Sequence, residues 1–170
     1  ALPIWVRMVG DAMPHIPDRM DIHEGCVVLS LLYDAGMLAE YFATVAKAAT
    51  KGVASRSSRG GGKVVSPSTF FGFEENVKTN ELGRVTQLKL TRWRNTGDGV
   101  YRKSTVPYGL PNTVARLRSL RIIVLDECAS LPLELGSLPF LESIHLLNCP
   151  QELFETGIPD GLRLPASVKN

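Results

Sequence analysis

The most ordered pattern of apolar positions lies between Leu110 and Cys149, where it occurs twice. Leu110-Pro111, Val114, Leu117, Leu120, Ile123, Leu125 and Cys128 return as Leu131-Pro132, Leu135, Leu138, Leu141, Ile144, Leu146 and Cys149, every pair offset by 21 residues (149 − 128). Within one copy, Ile123 and Leu125 share one face of a short strand, while Ile122, Val124 and Asp126 take the other. Leu117 and Leu120 reach the same core from the preceding turn. A single unit has one apolar edge and cannot bury it alone, so neighbouring copies are expected to stack as parallel strands around one core. Cys128 and Cys149 then fall where the chain leaves the sheet, each acting as a small hydrophobe with a weak S–H donor.

Upstream the apolar period changes to that of a helix. Ile22, Cys26, Leu29 and Tyr33, with Val28 and Leu32 beside them, predict a helix entered through Asp21, with Glu24 as the reciprocal partner of that cap. Gly36 breaks the pattern, and Met37, Leu38, Tyr41, Phe42 and Val45 carry a second helix to about Ala49 before Gly52. Residues 1–20, with Pro3, Pro14 and Pro17, read as irregular. The segment between Trp93 and Leu110, rich in Gly, Asn, Asp and Pro, reads as a loop. After Cys149 the register weakens: Ile158-Pro159 with Leu162 echoes Leu131-Pro132 with Leu135 six residues late and suggests a fourth strand near Leu162. The last residues, from Arg163, look frayed.

Size and composition narrow the class. The chain has 170 residues, 44% hydrophobic and 21% charged, values of an ordinary globular domain with a sizeable core. No apolar run is long enough to span a membrane. The chain starts at Ala1 without a recognisable secretory leader, which fits a fragment and a processed form equally. Three cysteines are an odd number and no Asn-x-Ser/Thr sequon is present, which leans toward a reducing, intracellular setting. The net charge of +2 is unevenly spread. Residues 51–63 hold four basic and no acidic residues, and 84–103 hold six basic residues against Asp98. Residues 122–162 hold seven acidic residues and no Lys or Arg. Such asymmetry bears on partners, not on fold.

The L-x-x-I-x-L-x-x-C core of each copy, Leu120 to Cys128 and Leu141 to Cys149, resembles the leucine-rich repeat. Two further stretches carry the resemblance. Val28 to Gly36 looks like the helix before the repeats in plant and algal members. Phe70-Phe71-Gly72-Phe73 and then Thr79 to Leu90 look like their entry hairpin, with Val85, Leu88 and Leu90 in the repeat slots. Trp93 stands where the later copies have Cys and departs from the pattern. The resemblance implies an α/β fold: a short leucine-rich repeat solenoid with its parallel sheet on the concave side, preceded by a helical N-terminal cap. The expected organisation is a cap region over 1–52, a flexible basic linker over 53–68 and about three repeats over 69–170.

It also implies a non-catalytic module that binds a protein or peptide on the concave face. The candidate binding residues are Gln87, Lys89 and Thr91, then Ile122, Val124 and Asp126, then Ser143, His145 and Leu147. Lys89, Val124 and His145 are expected in one row. Exposed Ile122, Val124 and Leu147 rimmed by charge favour a partner over plain solvent. Members of the family serve as receptor ectodomains, sensors in signalling and adaptors, so an extracellular setting stays open. A structural segment of a longer array is the alternative. Nucleic-acid binding through 51–63 and 84–103 is a lesser one, weakened by the lack of any recognisable motif.

Chemistry finds little support. Cys128, His145 and Asp126 could suggest a thiol nucleophile with its base, but a turn Cys and an outward strand His point apart. His23-x-x-Cys26 is a lone pair rather than a metal set, and no cofactor is implied. Gly60-Gly61-Gly62-Lys63 fails as a phosphate loop, since Ser57 stands where Gly is required and Val64 where Ser or Thr is required.

Overall fold

The structure is a computed structural model that describes residues 3, 10–38, 70–71, 75–95, 101–104 and 106–169. The basic segment at 53–68 and nearly all of the second predicted helix lie outside the described residues, although Met37 and Leu38 are described and buried.

Helix α1 spans Ile22–Asp34. Asp21 caps it as expected, its Oδ1 accepting from the N–H groups of His23 and Glu24 at 2.9 and 3.2 Å. The helix ends in a Schellman arrangement: Met37 N–H donates to Leu32 O and Gly36 N–H to Tyr33 O, with Gly36 at φ +71°. Its apolar face, Val28, Leu29, Leu31 and Leu32, is fully buried. Glu24 does not close the reciprocal cap. The N–H of Asp21 donates instead to Gly83 O, and the Glu24 carboxylate reaches across to Arg84 and Val85.

Strands β1 (Val77–Thr79) and β2 (Val85–Thr91) form an antiparallel hairpin. Its turn is tied by Asn80, whose Oδ1 accepts from Leu82 and Arg84 N–H. From β2 the sheet continues in parallel through β6 (Ile122–Asp126), β8 (Ser143–Leu147) and β9 (Ser167–Lys169). The protein is therefore a mixed α/β chain with a mostly parallel five-stranded sheet and a helix.

The 21-residue sequence period is the spatial step from β6 to β8. Ile123 pairs with Ile144 and Leu125 with Leu146, and all four side chains are at most 2% exposed. Burial of that kind contributes roughly 2 kcal/mol per side chain. The turns before these strands also coincide: 3-10 helices occupy Asn112–Arg116 and Leu133–Ser137, following extended Pro111 and Pro132. After each strand one residue adopts positive φ, Glu127 at 63° and Asn148 at 49°. Cys128 follows the first and is buried, its Sγ donating to Ser130 O at 3.1 Å. Cys149 is half-buried, with its Sγ near the carbonyls of Leu125 and Leu147.

Two steps depart from 21. Leu88 pairs with Ile123, an offset of 35 (123 − 88), because the segment expected as a loop forms a hairpin of β3 (Trp93–Asn95) and β4 (Tyr101–Lys103). The side chain of Trp93, which stands where the later copies have Cys, lies outside the described residues. A short strand β5 (Tyr108–Gly109) then pairs in parallel with β7 (Cys128–Ser130). Here Tyr108 is buried and its Oη donates to Leu90 O at 3.2 Å. The fourth strand is not near Leu162. It is β9, with Val168 beside Ile144 at an offset of 24 (168 − 144). The helical turn Leu153–Gly157 takes up the extra length: Leu153 is buried and Gly157 O accepts from Leu131 N–H. Ile158 and Leu162 pack against the core edge.

Candidate functional site

Strand alternation turns one set of side chains into the core and the other onto the outward face of the sheet. On that face Gln87, Ile122 and Ser143 form one row, which Ser167 extends. Lys89, Val124 and His145 form the next, extended by Lys169. Thr91, Asp126 and Leu147 form a third. At about 4.8 Å between strands, a four-residue row spans roughly 14 Å, the length of about four residues of extended peptide.

Eight of the nine candidate residues keep accessible side chains here; Asp126 does not. It is only 7% exposed, and Asn148 Nδ2 donates to its Oδ1 at 3.0 Å. The left-handed turn at Asn148 brings that amide back over the end of β6, so Asp126 is a structural acceptor rather than a contact residue. Ile122 and Val124 are half-buried and Leu147 is 39% exposed, leaving an apolar strip across the centre of the sheet. Polar groups border it. Lys89 Nζ lies 3.8 Å from Glu75 Oε2, and His145 Nε2 lies 3.4 Å from Ser143 Oγ.

The face ends, where the strands begin, in a cleft of about 490 Å³ whose walls include Lys78, Thr86, Gln87, Arg121, Ile122 and Glu142. Arg121 and Glu142, also 21 residues apart, form an ion pair through Nε and Nη2 to Oε1. A second cleft of about 540 Å³ lies between the C-terminal end of α1 and the Asn112–Arg116 turn. There Thr113 Oγ1 donates to Asp34 Oδ2. Sequence reasoning missed Ser167 and Lys169 because β9 is out of the 21-residue register. The Arg121–Glu142 pair was legible from the same period.

Cys128 and His145 do not meet. The thiol is in the core with its proton on Ser130 O, while the imidazole is on the outward face beside Ser143. Burial pushes the Cys128 thiol up to about 12 and also raises Cys149, the reverse of what a nucleophile needs. Among the described residues no three His, Cys, Asp or Glu side chains converge to hold a metal ion. No described helix is long and apolar enough to cross a membrane.

Fold and face together define a mixed α/β protein with an accessible parallel sheet. No protein-family model, curated protein or solved structure matches the chain.

Proposed function

We propose that the chain is a short leucine-rich-repeat-type solenoid with a helical cap, and that it binds a protein or peptide, without catalysis, on the outward sheet face. The observation that carries this reading is the registered strip of Ile122, Val124 and Leu147, half-open and flanked by Lys89, His145 and Lys169. Apolar side chains in the middle of a polar rim are the composition of a recognition surface. The test is selection of a displayed random-peptide library on the purified protein. Selected peptides should lose at least about tenfold in affinity for Val124→Glu, roughly 1.4 kcal/mol. Peptides that bind Val124→Glu and Ile122→Lys as tightly as wild type would overturn the reading.

A second reading is favoured by Val168. It continues the inward row of Leu88, Ile123 and Ile144, all fully buried, yet it is 41% exposed. On this reading β9 is covered by a further strand, and the chain is a segment of a longer array. Sedimentation across a concentration series separates the two: a monomer with a sharp melt supports the finished module.

A further inference from the structure

The cleft at the strand-start end extends the outward face beyond the strands that define the apolar strip. Lys78 of β1 pairs with Gln87, and Gln87 with Ile122, so the three side chains form one continuous row onto the sheet. Lys78 is exposed and has no ion-pair partner among the described residues. Gln87 is half-buried, and its side-chain amide bonds to no described residue. Thr86 Oγ1 is engaged on Lys78 O. Glu142 is held by Arg121, so the charged side chains among the described lining residues, Lys78, Arg121 and Glu142, sum to one positive charge. Among the described residues near the face, Glu75 pairs with Lys89 and Asp126 accepts from Asn148.

A cation without a partner among the described residues, a half-buried amide donor and an apolar wall at Ile122 form the recognition set for a carboxylate. We propose that this cleft takes a carboxylate at one end of an extended peptide laid across the sheet. The proposal rests on the peptide-binding reading above and adds the chemistry of the peptide's anchored end. The carboxylate comes from a chain terminus or from an Asp or Glu side chain, two sources with one recognition chemistry.

The experiment is an amide-detected NMR titration of the labelled protein with three probes. N-acetylvaline carries only a terminal carboxylate, N-acetylglutamate α-amide only a side-chain carboxylate, and N-acetylglutamine amide neither. At least one acid should move the amides of residues 78–80, 86–87 and 121–122 saturably, while the neutral probe leaves them in place. The acid that does so identifies the source. Lys78→Gln should weaken that titration about tenfold, and Lys78→Arg should restore most of it. Because Lys78 is exposed, neither variant disturbs folding. No shift with either acid, equal shifts with the neutral probe, or undiminished binding by Lys78→Gln would each overturn the proposal. Val124→Glu keeps the two readings apart. Loss of peptide capture with an intact probe titration supports both, whereas a probe titration without any captured peptide retains the cleft and removes the face.

Discussion

The carboxylate of Glu24 accepts a hydrogen bond from the backbone N–H of Val85 at 2.9 Å, across 61 residues of chain. Arg84 Nη1 reaches the other oxygen at 3.4 Å. Glu24 is 5% exposed, so a group that could have closed a local cap instead fastens the helix to the first long strand of the sheet. Removing it leaves a buried N–H without an acceptor. Glu24→Ala should cost about 2–3 kcal/mol in urea unfolding and Glu24→Gln about 1. Arg84→Ala should cost under about 1 kcal/mol, because the Arg84 side chain is 47% exposed and its pairing is screened.

The same junction depends on Gly83. Its φ is +73°, and a Cβ there would meet Asp21 N at 2.6 Å and Arg19 O at 3.0 Å, both backbone atoms. Neither the conformation nor the neighbours can yield cheaply. Gly83→Ala should lower stability by about 2–4 kcal/mol, read as a fall in the urea midpoint with an unchanged slope.

Glu127 and Asn148 hold equivalent left-handed positions, but only Asn is suited to that conformation. Glu127→Gly should relieve the strain and raise stability by about 0.5–1 kcal/mol, the gain reduced by the entropy of glycine in the unfolded chain. Asn148→Ala should act in the opposite direction, since it also takes the donor from buried Asp126.

Cys128 makes stability depend on alkaline pH. Burial lifts its thiol from an ordinary 9.0 to about 12, so the folded chain keeps a proton that the unfolded chain releases. The contribution is full below the unfolded value and is lost as pH rises toward the folded one. Urea melts should lose about 1–2 kcal/mol between pH 7.5 and 10.5, and Cys128→Val should flatten that slope. Tyr108, whose hydroxyl burial also raises, adds a loss of the same sign at higher pH. Alkylation of the native protein should leave Cys128 unmodified until it unfolds.

The amino-acid sequence by itself determined the register of its best-kept segment. A strand exposes alternate side chains, and an intact 21-residue shift leaves Ile123 one partner that keeps both apolar faces buried, Ile144. Asp21 and Gly36 were legible for a similar reason, since caps act within a few residues. Tertiary structure decided what lay beyond local chemistry. Glu24 went to Val85 rather than to its own cap, the turn at Asn148 buried Asp126, and the helical turn at Leu153–Gly157 moved the last strand to Ser167–Lys169. Each outcome reflects a buried polar group or apolar edge finding its partner across the core, and such partners are set by packing rather than by sequence spacing.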